Sequence, residues 1–261
     1  MSSFTPKSIA TLIDQVRETD FPTALIEFLG TVCQFDTALI VTYKKAFKPI
    51  MLFPVEPAEV SPTLTQYINQ YYVLDPLFNA IQSKDVDLVS RMSDLAPDSF
   101  ETTEYFLSCY KNFDLIDEIN IVARLTQSVT CCITLGRLSN SGPVAQSILD
   151  ELHAIQPVIE SLMKQFWFHR SGDYVQFEQS DTAMNAALDS FGEDQLTKRE
   201  REIARLILKG HSSKSIAKLL HISLGTVKVH RKNIHTKLDT SSNSDIFTLF
   251  LEHLNQVDAT T

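Results

Sequence analysis

Apolar residues recur at two different spacings along the first half of the chain, and the two spacings alternate. In "SIATLIDQVRE" and "PTALIEFLGTVCQ", apolar positions lie three and four residues apart, which is the repeat of an amphipathic helix. "TALIVTYKK" and "KPIMLFPV" are short apolar runs of the kind that favours strands. The pattern therefore predicts two helices followed by two strands.

The alternation then continues. Helical spacing returns in "SPTLTQYINQYYVLDPLFNAIQ" and in "TEYFLSCYKNF". Two runs rich in β-branched residues follow, "INIVARL" and "SVTCCITLGRL", and we expect them to pair as antiparallel strands. These elements together predict a sheet with helices packed on it.

A long helix is predicted from Gly142 to about Arg170, with a kink at Pro157, because a proline inside a helix loses a hydrogen bond and clashes with the preceding turn. It completes an α/β domain over residues 1–170. Residues 171–195 lack sustained apolar periodicity apart from "TAMNAALDSF", so we expect a linker there.

Three further helices are predicted in residues 196–240. The first begins with a capping box, in which Thr197 caps the helix and Glu200 reaches back to the cap amide. Ser212 and Ser223 are the expected caps of the second and third helices. Two short helices joined by a tight turn form a helix-turn-helix.

The third helix has an apolar side and a basic side at about 100° per residue. The apolar side carries Val227, Ile234 and Leu238, whereas the basic side carries Lys228, Lys232 and His235 with Arg231 beside them. One interpretation is a solvated charged face. The alternative is a recognition helix that enters the DNA major groove.

The charge distribution favours the DNA interpretation. The 261 residues are 44% hydrophobic and 21% charged, which is typical of globular proteins, and the net charge is −9. Between Leu196 and Thr240, however, Lys and Arg outnumber Asp and Glu by eight, so the remaining residues carry −17. Such asymmetry indicates a basic module for a polyanion joined to an acidic module with another role.

The sequence gives no sign of export or of bound metal. The N-terminus lacks the pattern of a secretory signal, and Glu27 and Asp36 interrupt the longest apolar stretch, so a cytoplasmic location is expected. The four cysteines form no C-x-x-C pair or zinc spacing, and we interpret them as reduced core thiols, in preference to a redox role for Cys131 and Cys132. Neither a cofactor nor a metal ion is expected.

The segment "LTKREREIARLILKGHSSKSIAKLLHISLGTVKVHRKNIHTKL" resembles the DNA-binding domain of the LuxR/GerE family of bacterial transcription regulators over nearly the full length of that domain. The resemblance implies an all-α, four-helix domain over residues 196–261. In such domains the last helix, here "NSDIFTLFLEHLNQ", contributes dimer contacts, which implies Leu249 and Phe250 as participants.

Roles in DNA binding follow from matched positions in that family. The residues implied to contact bases are Lys228, Val229, Lys232 and Arg231. Lysine can donate to guanine O6 and N7, and valine can contact a thymine methyl group. The residues implied to contact phosphates, which set position rather than sequence, are Ser212, Lys214, Thr226, His230 and Lys237.

The layout of residues 1–170 is similar to the α/β/α sensor domain of quorum-sensing LuxR members, which is related to the GAF and PAS folds. "YYVLDPLFNA" resembles their Y-x-x-x-DP segment and implies that Asp75 binds the amide of an acyl-homoserine lactone. The candidate ligand-binding residues are Asp75, Tyr67, Tyr71 and Tyr43. Their alternative roles are a helix cap for Asp75, which precedes a proline, and core packing for the tyrosines.

Several positions depart from the lactone-binding pattern. Pro62 and Gln66 occupy the places of the ligand-binding Trp and Tyr, and Glu118 and Val122 stand where those members carry Gly and Pro. We therefore expect an effector other than a standard acyl-homoserine lactone.

The sequence thus predicts a homodimeric, sequence-specific DNA-binding transcription regulator controlled by an N-terminal sensor-like domain. The expected partners are double-stranded DNA, a second copy of the chain, a small-molecule effector and RNA polymerase. The alternative is a ligand-independent regulator whose N-terminal domain serves dimerisation or protein interaction. An enzyme is not expected, because residues 1–170 show no catalytic spacing and the chain has no phosphate-binding P-loop.

Overall fold

The structure, a computed structural model, describes residues 5–44, 47–54, 60–83, 86–97, 100–175, 182–209 and 211–258. The chain divides into two compact units. The first comprises Met1–Tyr72, Ala80–Leu95 and Phe113–Ser180, and the second comprises Val73–Asn79, Ala96–Asn112 and Asp181–Thr261.

Five strands and twelve helices form within the described residues. The strands are β1 (Thr37–Lys44), β2 (Ile50–Phe53), β3 (Val89–Arg91), β4 (Leu115–Arg124) and β5 (Val129–Leu138). The helices are α1 (Pro6–Gln15), α2 (Phe21–Val32), α3 (Pro62–Asn69), α4 (Pro76–Ser83), α5 (Met92–Leu95), α6 (Glu104–Ser108), α7 (Gln146–Val175), α8 (Thr182–Ser190), α9 (Lys198–Leu208), α10 (Ser213–Leu219), α11 (Leu224–Leu238) and α12 (Asn243–Asp258).

The first unit is built on one antiparallel sheet with strand order β2-β1-β5-β4-β3. The predicted antiparallel pairing of β4 with β5 is confirmed, and Ile121 lies opposite Ile133 in the register. The edge strand β3 was not predicted, because three residues are too short to show a repeat.

One face of the sheet packs against α2 and α7. Ile119, Ile121 and Ile133 are buried in this core, and the rings of Phe21 and Phe166 approach to a centroid distance of 5.2 Å. Because side chains alternate along a strand, Glu118 and the other even-numbered residues of β4 point to the opposite face of the sheet.

The long helix α7 continues beyond its predicted end and passes through Pro157. Its last turns are held by Tyr174, whose ring lies 6.2 Å from those of both Phe166 and Trp167. The expected linker at residues 171–195 is therefore partly helical at its start, and α8 occupies much of the rest. Residues 176–181 lie outside the described ranges.

The second unit contains α8 to α12 together with two segments that the sequence assigned to residues 1–170. These segments are Val73–Asn79 and Ala96–Asn112. Within the latter, the rings of Phe100, Phe106 and Tyr110 lie within 6 Å of one another. Hydrophobic periodicity predicts elements but not the compact unit that each element joins, so the sequence did not indicate that these two segments group with α8 to α12.

No helix in the described ranges is both long enough and apolar enough to cross a membrane.

Gly192, which follows α8, and Gly172, which lies in α7, differ in how well they should tolerate a side chain. Gly192 has a φ of +69°, and an added Cβ would lie 2.8 Å from Leu196 Cδ1. Gly172 lies in the last turns of α7, where an added Cβ would meet no atom within 4 Å. We expect Gly192→Ala to lower the free energy of unfolding by about 1–2 kcal/mol. Gly172→Ala should instead raise it by roughly 0.5 kcal/mol.

Thermal and urea unfolding of the full chain would measure both changes. Equal effects of the two substitutions would contradict the described turn at Gly192.

Candidate nucleic-acid interface

The second unit begins its helix-turn-helix at a buried carboxylate. The Thr197 Oγ1 atom accepts a hydrogen bond from the Glu200 amide at 3.3 Å, and Glu200 Oε2 accepts one from the Thr197 amide at 2.9 Å, which confirms the predicted capping box. Lys237 Nζ, from the last turn of α11, also donates to Glu200 Oε2 at 2.6 Å. One side chain thus caps α9 and ties it to α11.

The turn between α10 and α11 is closed by backbone hydrogen bonds. The Ile222 amide donates to Ala217 O at 3.0 Å and the His221 amide donates to Lys218 O at 3.3 Å, the pattern of a Schellman motif. His221 adopts a φ of +52°, which is uncommon outside glycine but is found for histidine. Ser223 then caps α11 by accepting from the Thr226 amide at 3.0 Å.

The two sides of α11 have opposite environments. Val227 and Ile234 are completely buried, so they anchor the helix in the unit. Lys228 and Lys232 are exposed one turn apart, and the side chain of Val229 between them is 59% exposed. The structure therefore presents three of the four residues expected to contact bases on one exposed surface, which we call the α11 face: Lys228, Val229 and Lys232.

Arg231 does not belong to the α11 face. It is half-buried, and its Nη2 atom donates to Asn243 Oδ1 at 2.8 Å, at the start of α12. Burial lowers the pKa of Arg231 from its usual value. The guanidinium therefore contacts the start of α12 inside the unit, and its expected base contact stays a prediction.

The residues expected to contact phosphates have different environments. Lys214 and Thr226 are exposed near the N-terminal ends of α10 and α11. Ser212 caps α10, accepting from the Ser215 amide at 3.2 Å. His230 is half-buried, and its Nδ1 atom has no hydrogen-bond partner within the described chain. Lys237 is engaged with Glu200, and the phosphate contacts expected of all five residues stay predictions.

Phe250 of α12 lies in the interior of the second unit. It is 1% exposed and its ring packs edge-on against Phe191, at a centroid distance of 5.5 Å. Phe191 thus covers Phe250 within the same chain, and the expected role of Phe250 in dimer contacts stays a prediction. Leu249 is only partly buried. The sequence signal for this packing was the apolar spacing of "TAMNAALDSF", which precedes Gly192.

The residues expected in a ligand pocket are only partly brought together. The hydroxyl groups of Tyr43 and Tyr67 lie 2.6 Å apart and are buried in the first unit. Tyr71 is half-buried in a 3-10 turn. Asp75 is assigned to the second unit, where its Oδ1 atom accepts from the Leu77 amide at 2.8 Å. The helix-cap interpretation of Asp75 is therefore supported.

A buried polar group that the sequence did not predict lies on the face of the sheet opposite α7. Asn120 is completely buried and donates from Nδ2 to Glu118 Oε1 at 3.1 Å, while Thr134 Oγ1 donates to Asn120 Oδ1 at 2.8 Å. The sequence signal was a pair of polar residues inside an otherwise β-branched run. Among the described residues, no group of three His, Cys, Asp or Glu side chains could hold a metal ion.

The bond between Glu200 and Lys237 predicts a pH effect with a defined sign. Burial alone would raise the pKa of Glu200, but the hydrogen bonds from Lys237 and Thr197 outweigh it and lower the pKa from 4.5 to about 2. A depressed pKa stabilises the folded state above the unfolded pKa. This contribution should be complete above about pH 4.5 and lost as the pH falls to about 2.

We expect Lys237→Met to lower the free energy of unfolding by about 1 kcal/mol at pH 7, a value that allows for the partial exposure of the lysine. Lys232→Met, an equivalent change at an exposed position of the same helix, should have little effect on the free energy of unfolding.

The wild type and Glu200→Gln should differ in their free energy of unfolding at neutral pH, and this difference should shrink between pH 4.5 and 2. Urea unfolding at several pH values would measure it. A constant difference would contradict the assignment.

Comparison with known proteins agrees with this geometry. Residues 194–250 match the GerE family, described as bacterial regulatory proteins, luxR family. The fold is similar to the crystal structure of the VqsR LBD domain from Pseudomonas aeruginosa, with a TM-score of 0.54 at 23% identity, over 62% of this chain and 95% of that one. This likeness concerns the fold alone.

Two curated relatives are similar over longer stretches. The monoamine regulon transcriptional regulator of Klebsiella aerogenes is 26% identical over 184 residues, which is 70% of each chain. A putative HTH-type transcriptional regulator in the exeN 3' region of Aeromonas salmonicida is 34% identical over 157 residues, 58% of this chain and 80% of the relative. The chain therefore belongs to the luxR family of bacterial regulatory proteins and is a transcription regulator rather than an enzyme.

Proposed function

We propose that this regulator binds specific DNA sequences as a homodimer, with α11 as the recognition helix. The observation that carries the proposal is the α11 face: Lys228, Val229 and Lys232 are exposed together, while Val227 and Ile234 fix the opposite side of the helix in the unit. A major groove admits such a helix, and a rigid attachment keeps its side chains in register with the bases.

The side chains of the α11 face can contact both guanine and thymine bases. The two lysines can donate to guanine O6 and N7, and Val229 can contact a thymine methyl group. Lys214 and Thr226, near the N-terminal ends of α10 and α11, are proposed to contact backbone phosphates. Such contacts fix the position of the module on the duplex without reading its sequence.

A two-fold symmetric dimer would recognise a longer DNA site than one module can contact. A dimer would place two α11 helices in successive major grooves, about one helical turn apart. Leu249 of α12 remains our candidate for the contact between subunits, because it is partly exposed whereas Phe250 is buried. Binding to chromosomal DNA implies a cytoplasmic protein.

We further propose that the first unit is a sensor, related to GAF and PAS domains, for an effector other than a standard acyl-homoserine lactone. Glu118 is 6% exposed, and its Oε1 atom accepts from Asn120 on the face of the sheet opposite α7. Glu118 stands where lactone-binding members carry glycine, and Pro62 and Gln66 replace their ligand-binding Trp and Tyr. These departures favour an effector of different chemistry.

A ligand-independent regulator is the second candidate, and a specific observation favours it. In the first unit the hydroxyl groups of Tyr43 and Tyr67 form a hydrogen bond with each other, and the Thr134 hydroxyl donates to Asn120 Oδ1. The protein itself therefore provides hydrogen-bond partners for these polar groups. In that case the first unit serves dimerisation or contact with another protein.

The roles of two lysines in DNA binding can be separated by experiment. Lys232→Ala should weaken binding to the preferred site by about 1–3 kcal/mol and relax preference at one base position. Lys214→Ala should weaken binding to all sequences similarly and reduce the slope of log affinity against log salt by about 1. Fluorescence anisotropy with a set of operator variants at several salt concentrations measures both effects.

Lys7→Ala is the matched control, because it removes one exposed charge from α1. The recognition role of α11 would be refuted by an unchanged sequence preference in Lys232→Ala.

The effector proposal predicts no response to acyl-homoserine lactones. Lactones with acyl chains of several lengths should leave the melting temperature of the full chain unchanged, because Pro62 and Gln66 replace the ligand-binding Trp and Tyr of lactone-binding members. Native mass spectrometry of freshly purified protein tests the two candidates. A stoichiometric released compound other than a lactone supports the sensor, and its absence supports the ligand-independent regulator. Retention of a lactone would contradict both.

A further inference from the structure

A cavity of about 180 Å³ lies inside the second unit, next to the helix-turn-helix. It is bounded by the segments Val73–Asn79 and Ala96–Asn112 on one side, and by α9 to α12 on the other. Nothing in the DNA-binding role described above uses this space.

The lining of the cavity is positively charged. It includes the half-buried guanidinium of Arg231, and none of the described lining residues is Asp or Glu. Arg199, Arg201, Arg205 and Lys237 form ion pairs around α9 and α11, whereas Arg231 forms none with a described residue. Arg231 thus lies in a partly buried position without a carboxylate counter-charge from the described chain.

Arg231 uses only a small part of its hydrogen-bonding capacity within the described residues. A guanidinium has five N–H donors, and one hydrogen bond, to the neutral side chain of Asn243, is formed with a described residue. Burying a cation is costly unless it is paired and hydrogen-bonded. An anionic group is the partner that satisfies both requirements, because carboxylate and phosphate oxygens match the guanidinium fork.

Other groups in the lining can complete an anion site. Asn243 accepts through Oδ1, which leaves its Nδ2 group to donate, and Ser213, which carries a hydroxyl group, also lines the cavity. His211 contributes no charge at neutral pH, because burial, and secondarily the charge of Lys209, lowers its pKa. The positive charge of the described lining is therefore that of Arg231.

The volume limits the size of the occupant. Drug-sized ligands occupy pockets of about 300–1,000 Å³, and this cavity is smaller. Its remaining walls combine apolar residues, which include Leu74, Ile207 and Phe247, with polar ones. We propose that the cavity binds a small anion, whose phosphate or carboxylate group pairs with Arg231 and is also held by Asn243 and Ser213.

An anion in this position would have a structural consequence. Thr102 and Tyr105 line the same cavity as Arg231 of the recognition helix, so the occupant would contact both the Ala96–Asn112 segment and the helix-turn-helix. Its binding would stabilise this segment against the DNA-binding helices. The inference does not depend on the identity of the operator or on the sensor proposal.

Binding can be measured on the full chain with inorganic phosphate and with butyrate as probes, each against chloride at equal ionic strength. At least one probe should raise the melting temperature by about 2–4 °C at saturation, since a ligand that binds only the folded state stabilises it. Phosphate as the stronger probe would identify a phosphorylated ligand, and butyrate a carboxylate. No stabilisation by either probe would overturn the proposal.

Variants distinguish the cavity from the DNA-binding surface, which also attracts anions. The double variant Lys228→Ala with Lys232→Ala should keep the full stabilisation, whereas Arg231→Gln should lose it. Arg231→Lys keeps the charge without the planar fork, so the probe should bind at least several-fold more weakly. The opposite outcome, with stabilisation lost in the double lysine variant and kept in Arg231→Gln, would assign the anion to the α11 face.

Hydrogen exchange on the wild-type chain provides a readout that does not depend on the folding of any variant. The bound probe should slow amide exchange in Thr102–Leu107. Unchanged exchange in that segment, at probe concentrations that raise the melting temperature, would place the anion elsewhere and overturn the proposal.

Discussion

The hydrogen-bonded ion pair between Glu200 and Lys237 is the interaction on which the DNA-binding module depends. Glu200 is 3% exposed, and its carboxylate caps α9 through the Thr197 amide while it also accepts from the last turn of α11. A buried carboxylate without these partners would be strongly destabilising. The pair therefore fixes α11 relative to α9, and this fixes which side of α11 remains exposed.

The surplus of positive charge in residues 196–240 is only partly available to DNA. Arg199 is paired with Glu202 within α9. Arg201 and Arg205 are paired with Glu193 and Asp189, both of which precede α9 in the chain. The charge that remains exposed on α11 comes from Lys228 and Lys232, which together with Val229 form a compact surface. Composition identifies a basic module, but the internal pairing determines which part of the module can meet a polyanion.

Local signals in the sequence were reliable predictors. The capping box at Thr197, the cap at Ser223 and the pairing of β4 with β5 each depend on residues close in sequence or on a repeat within one element. The exposed positions of Lys228 and Lys232 follow from the same helical repeat, since the buried positions of Val227 and Ile234 fix the opposite side.

The sequence did not reveal the interactions that depend on distant partners. Arg231, Lys237 and Phe250 are engaged by Asn243, Glu200 and Phe191, and these partners lie between 12 and 59 residues away in sequence. The inclusion of Ala96–Asn112 in the second unit is likewise a tertiary contact. A single sequence shows that a side chain can bind an anion, but not whether an internal partner already holds it.

The central claim is that an exposed face of α11 reads DNA sequence. The most direct measurement is selection of double-stranded DNA from a randomised pool by the full-length chain. The account predicts enrichment of a two-fold symmetric motif with half-sites about one helical turn apart. Retention of DNA without any enriched motif would show that the basic module binds the phosphate backbone alone, and would contradict the account.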